Sequence, residues 1–254
     1  MAEVLLEVEA LTKRFGGVVA SDAISLALPA GELHAIIGPN GAGKTTLVGE
    51  LAGEITPDAG RIRFGGRDIT ALPVYRRSQF GLARTFQIAS LFADFTALDN
   101  VALAVQAHAG HSFRFWRDAR CEAALRTPAR AALERVGLAE RADTRVAVLS
   151  HGERRQLEIA MALATGPRML LLDEPMAGMG PEESARLVHT LHELKGSVTI
   201  LLIEHDMDAV FALADRICVL VYGRIIASGD PAAIRADATV RQAYLGDGDG
   251  AGHG

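Results

Sequence analysis

Leu33-His34-Ala35-Ile36-Ile37-Gly38-Pro39-Asn40-Gly41-Ala42-Gly43-Lys44-Thr45-Thr46 is the stretch whose reading decides the fold. An apolar run of strand length enters a glycine-rich turn, and Thr45 to Ala52 then reads as a helix. Gly38-x4-Gly43-Lys44-Thr45 is the spacing of a phosphate cradle, in the strand-before, helix-after context that such a cradle requires. Glycines let the backbone curl so that successive N–H groups point inward, and the helix N-terminus adds positive potential. Pro39, Asn40, Gly41 and Ala42 complete the loop. Lys44 is placed for the β- and γ-phosphates, the Thr45 hydroxyl for Mg²⁺, and Thr46 for an α-phosphate oxygen. The bland alternative is a ligand-free glycine turn, and the flanking elements argue against it. Kinases, GTPases, helicases and DNA-repair ATPases share such a cradle, so it names a ligand class and not an activity.

Outward from the cradle the pattern is consistent. Upstream, Leu6 and Val8, then Ile24, Leu26 and Leu28, alternate with polar or small residues, as in antiparallel strands with one wet face. Downstream, Met169–Leu172, Val198–Ile203 and Ile217–Val221 read as strands, and Glu182–Leu194 and Met207–Ala214 as helices. Alternating βα units with apolar strands predict an α/β fold with a mostly parallel sheet covered by helices. Between about 88 and 160 strand patterns vanish and helical spacing takes over, as at Ala129, Ala132, Leu133 and Val136. The expected organisation is a P-loop core with an antiparallel β subdomain over 1–87 and 161–245, an inserted α-helical subdomain over 88–160, and a disordered tail over 246–254.

Composition sets limits. The 254 residues are 49% apolar, which excludes wholesale disorder and allows a large core. With 26 Lys+Arg against 31 Asp+Glu the net charge is −5, which argues against a chain built to grip nucleic acid. No apolar run approaches a membrane span, and MAEVLLEVEA has no basic region like that of a secretory signal. Cys121 and Cys218 lie far apart and outside any metal-ligand spacing, so they read as free thiols. These features predict a soluble, cytosolic chain.

Met169-Leu170-Leu171-Leu172-Asp173-Glu174-Pro175 is an apolar strand ending in two carboxylates. A strand parallel to the one before the cradle delivers its C-terminal end to the same crevice. Asp173 then sits beside the metal. Glu174, expected on the opposite side of the pleat, can reach a water in line with the γ-phosphate and act as general base. The alternative, an ordinary acidic strand end at the surface, is weakened by the complete cradle.

With these segments and the ones that follow, the chain resembles the nucleotide-binding subunit of an ATP-binding-cassette transporter over about residues 4–246. Leu149-Ser150-His151-Gly152-Glu153 resembles the family's signature Leu-Ser-Gly-Gly-Gln, with His151 and Glu153 as departures. The resemblance implies that Ser150 and Gly152 contact the γ-phosphate held by a partner subunit; read without it, the segment is an ordinary Ser N-cap followed by Glu153. Gln87, in Arg84-Thr85-Phe86-Gln87, matches the glutamine that senses Mg²⁺ and the attacking water. His205, in Ile203-Glu204-His205-Asp206, matches the switch histidine that meets the γ-phosphate. Phe15 occupies the place of the aromatic that stacks on adenine; its alternative is an edge-strand core residue. The family's Asp in the loop after the acidic strand is replaced by Gly180.

The strings KRFGG, GLARTFQ, ALDNV, EIAMALAT, EHDMDAV and AYLG resemble the branched-chain amino-acid uptake branch. The resemblance implies an ATPase with ATP and Mg²⁺ as cofactors. It implies a second ATP-binding subunit, integral membrane permease subunits and, indirectly, a solute-binding protein. Its place would be the cytoplasmic face of the plasma (inner) membrane, held peripherally, with no nucleic-acid partner. Other solutes (urea, amides, lipopolysaccharide in export) and a soluble non-transport ATPase are the alternatives. His108–Arg120, rich in Arg and carrying the only Trp, Trp116, reads as a contact to the permease or to lipid headgroups, or as a loop packed on its own lobe.

Overall fold

The computed structural model describes residues 3–85, 91–109 and 122–245. Two compact units divide them. The first takes residues from 1–77, 171–174 and 195–254, the second from 78–170 and 175–194. Gln87, most of His108–Arg120, and the tail from Gly246 lie outside the described residues.

In the first unit, β1 (Val4–Phe15) pairs antiparallel with β2 (Val18–Pro29) and with β4 (Ala59–Phe64), which continues to β5 (Arg67–Asp68). Leu6, Val8, Leu11, Ile24 and Leu28 are buried, while Glu7 and Glu9 stay at the wet face. The alternation resets at Ala10 (φ 46°), where a register shift returns Leu11 to the apolar face.

The second sheet of this unit runs β10-β9-β3-β8-β7. β3 (Leu33–Ile37) lies parallel to β8 (Thr199–Ile203) on one side and β9 (Arg216–Val221) on the other. β7 (Met169–Asp173) and β10 (Arg224–Gly229) are the outer neighbours, β10 antiparallel. All five residues of β3, of β7 and of β8 are buried, as continuous apolar runs in a helix-covered sheet require. α1 (Lys44–Ala52) follows the glycine loop.

α2 (Val74–Gln79) brings an unexpected core residue. Arg77 is 1% exposed and donates to the carbonyls of Glu50, Leu51, Thr70 and Leu72. Two of those carbonyls belong to the last turn of α1, so the guanidinium satisfies groups a helix end leaves unpaired. Burial pulls its pKa down to about 10.

The second unit contains β6 (Leu82–Arg84), α3 (Ala97–Ala109), α4 (Ala123–Arg135), α5 (His151–Leu163) and α6 (Pro181–Leu194). α3, α4 and α5 pack together, and Leu98, Val101, Ala129, Leu133, Leu157 and Ala160 on them are buried. α4 runs through Pro128 and carries the helical spacing of Ala129, Ala132 and Leu133 on its buried face. The chain ends in the first unit with α7 (Met207–Leu213), α8 (Pro231–Ala236) and α9 (Ala238–Leu245). Among the described residues no helix is long and apolar enough to cross a membrane.

Candidate active site

The cradle is held from outside by backbone. Gly38 passes so close to β9 that a Cβ would fall 2.1 Å from the Leu220 carbonyl oxygen. Gly43, at φ 103°, would place one 2.2 Å from the Ala20 carbonyl oxygen. Only glycine fits either place. Gly223, in the turn between β9 and β10, donates its N–H to the Ala42 carbonyl at 2.8 Å. The loop is thereby clamped between β2 and the β9–β10 turn.

α1 begins at Gly43 with no side chain capping it and no acid in its first turn. Its leading N–H groups and the positive end of its dipole face the loop, the arrangement that receives phosphate. Lys44 is buried, and its Nζ donates to the carbonyls of Gly38 (2.6 Å) and Pro39 (3.0 Å). Burial lowers its pKa, while the charges of Glu174 and Asp173 act in the opposite direction. The ammonium is therefore folded back on its own loop beside two carboxylates. Thr45 is exposed and Thr46 half-buried at the start of the helix.

Asp173 ends β7 and is buried. Glu174 differs from the expected alternation: its φ is +47°, so the chain turns into the left-handed region there. Its N–H still donates to the carbonyl of Ile203, the last residue of β8, at 2.9 Å. The turn costs of order 1–3 kcal/mol for a residue with a Cβ, a strain that collects at functional sites.

His205 follows β8 and is exposed. Its Nδ1 lies 4.0 Å from Glu174 Oε1 and 3.9 Å from Oε2 of the buried Glu204. Asp206 caps α7 by accepting from the N–H groups of Asp208 and Ala209, which turns the chain away just after His205. One end of one sheet therefore carries the cradle, Asp173, Glu174 and His205. Phe15 is 50% exposed at the tip of β1, with Lys13 Nζ 5.5 Å from its ring centroid. That exposure disposes of the core-residue alternative.

In the second unit, Ser150 is the N-cap of α5. Its Oγ accepts from the Glu153 N–H (3.2 Å), and Glu153 Oε2 accepts from the Ser150 N–H (2.8 Å), a complete capping box. Burial alone would raise the Glu153 pKa, but the Ser150 N–H and Arg141, 2.8 Å away, hold it low. His151 places Nε2 3.2 Å from the Ala177 carbonyl oxygen. Glu183, which the sequence did not single out, accepts from Ser150 Oγ and from the Gly152 N–H.

Among the described residues no group of three or more His, Cys, Asp and Glu is placed to hold a metal ion. Thr45 and Asp173 offer hard oxygens, which suit Mg²⁺ when it keeps waters and substrate phosphates as its other ligands.

The family model described as "ABC transporter" matches residues 21–177. A second, "Branched-chain amino acid ATP-binding cassette transporter", matches residues 224–250. The chain is 40% identical to the high-affinity branched-chain amino acid transport ATP-binding protein BraF of Pseudomonas aeruginosa, over 97% of this chain and 100% of that one. It is 39% identical to the high-affinity branched-chain amino acid transport ATP-binding protein LivG of Escherichia coli, with 97% and 100% covered. A crystal structure of the ADP conformation of an ATP-binding cassette of an ABC transporter has a TM-score of 0.86 at 31% identity, covering 97% of this chain and 100% of that one.

Proposed function

Because the chain belongs to the ATP-binding-cassette (ABC) transporter family, we propose that it is the ATP-hydrolysing motor subunit of an importer for branched-chain or related amino acids. The observation that carries the reading is the meeting of Lys44, Asp173, Glu174 and His205 at one sheet end. The match over 224–250 favours the amino-acid branch over other solutes.

Gly38 to Thr46 binds the triphosphate through backbone N–H groups, and Phe15 stacks on the adenine. Lys44 leaves the carbonyls of Gly38 and Pro39 for the β- and γ-phosphates, exchanging neutral acceptors for anionic ones. Thr45, Asp173 and Gln87 would hold Mg²⁺, which supplies charge neutralisation at the β- and γ-phosphates. Glu174 accepts the proton of the attacking water as its oxygen bonds to the γ-phosphorus and the bond to the ADP oxygen breaks. His205 holds the γ-phosphate and orients that water.

Two such subunits, identical or paralogous, lie head to tail, so that Ser150 and Gly152 of one face the γ-phosphate held by the other. ATP closes the pair and phosphate release reopens it. The motion is passed to separate membrane permease subunits, which keep this chain peripheral at the cytoplasmic face. A solute-binding protein outside the membrane delivers the amino acid.

Co-expression with the permease subunits tests this. The expected result is a complex purified from membranes whose ATP turnover rises with leucine, isoleucine or valine on the solute-binding protein. Turnover indifferent to these amino acids, or a chain recovered without any membrane protein, contradicts it.

A further inference from the structure

Glu183 lies in the first turn of α6. A single oxygen of its carboxylate, Oε1, takes the Ser150 hydroxyl proton at 2.9 Å and the Gly152 N–H at 3.2 Å. The Ser150 hydroxyl has one proton, and its oxygen already accepts from Glu153 N–H, so it cannot serve another anion without releasing Glu183. Gly152 leaves no spare room, since a Cβ there would lie 2.8 Å from the same Oε1. The Ser150 hydrogen bond first, then the Gly152 and Gly180 N–H groups and the Arg186 charge, hold the Glu183 carboxyl below its ordinary range. The group is an anion at neutral pH, docked on the positive end of α5. Arg141, Gln156 and Arg186 line the pocket around it.

We propose that Glu183 is an internal occupant of the signature's anion site, a latch that must withdraw before the partner's γ-phosphate can use Ser150 and Gly152. This rests on the reading of those two residues as γ-phosphate donors. Both ligands are oxyanions seeking the same hydroxyl and the same N–H, so they compete, and nucleotide-driven pairing is opposed until the latch opens. The apparent affinity of the pair is reduced by the fraction of chains in which the site is free.

The test is inorganic phosphate titrated into the full, nucleotide-free chain, followed by NMR at the Gly152 amide. Glu183→Ala removes the carboxylate, and Glu183→Asp keeps the charge on a side chain one methylene shorter. Both are expected to respond at phosphate concentrations at least about threefold below wild type. Equal midpoints in all three chains overturn the latch. A response in Ala but not in Asp also overturns it, because only local charge would then matter.

A second measurement uses ATP-dependent pairing by sedimentation in the Glu174→Gln background. Adding Glu183→Ala or Glu183→Asp is expected to lower the ATP concentration for pairing about five- to tenfold, as if the latch were closed in roughly 80–90% of chains. Binding of a fluorescent ATP analogue to the cradle of the full, unpaired chain stays unchanged. No pairing in the Glu174→Gln parent would contradict the motor reading, while the phosphate titration still decides the latch.

Discussion

Lys44 holds a buried ammonium against two loop carbonyls, and nothing but an anion improves on that arrangement. Lys44→Ala is therefore expected to weaken ATP binding by about tenfold or more in an equilibrium assay, the loss of one charge-assisted contact. Glu50 in α1 is a second buried charge, with no part in the chemistry. Burial raises its pKa, against the hydrogen bond that Ser21 Oγ donates to it at 2.5 Å. The folded state thus favours the protonated acid. Its stabilisation is present in full below the unfolded value of 4.5 and is lost as pH rises through the higher folded value. Glu50→Gln keeps an acceptor for Ser21 without the charge. Its Tm relative to wild type is expected to rise from pH 4.5 upward and to level off above the folded pKa. A Tm difference that stays flat or falls between pH 4.5 and pH 8 contradicts this.

At the scale of elements, the start of α5 depends on its N-cap residue twice. Ser150 caps the helix and holds Glu183. Ser150→Ala is expected to cost about 1 kcal/mol and to lower Tm by roughly 2–4 °C in a thermal melt. Arg77 ties α2 to the end of α1, and Arg77→Ala removes four hydrogen bonds to carbonyls at once, although the Glu50 carbonyl keeps a second donor, the Gly53 N–H. We expect a loss of about 3 kcal/mol in denaturant unfolding, with the site chemistry intact where the chain remains folded. These elements were unequally legible. Leu33–Ile37 was readable as a buried parallel strand because four of its five residues are apolar and glycines bound the run, although His34 is buried within it as well. Arg77 was not, because a guanidinium aimed at carbonyls 5 to 27 positions away has no local pattern. The start of α4 at Ala123 has no clear mark in the sequence, because Pro128 lacks an N–H and the buried Leu125 and Ala129 carry the helix through it. Glu174 was legible as a carboxylate in the right crevice, but not its left-handed backbone, which neighbours impose and residue type does not favour. Glu183 was invisible for the same reason: its partners lie 31 and 33 positions away.

At the scale of the whole molecule, a net charge of −5 and an apolar interior describe an ordinary globular chain, and only the ordered motifs make it a motor. The sheet end gathers the phosphate cradle, a buried Asp173 and a Glu174 within 4.0 Å of His205, and the proposed hydrolysis rests on that gathering. The measurement that tests this most directly is phosphate release from MgATP by wild type and by Glu174→Gln, with bound ATP determined on the same samples. The account predicts turnover in wild type and a loss of about 10²–10⁴-fold in the variant, with ATP still bound. Equal turnover in the two chains would contradict it.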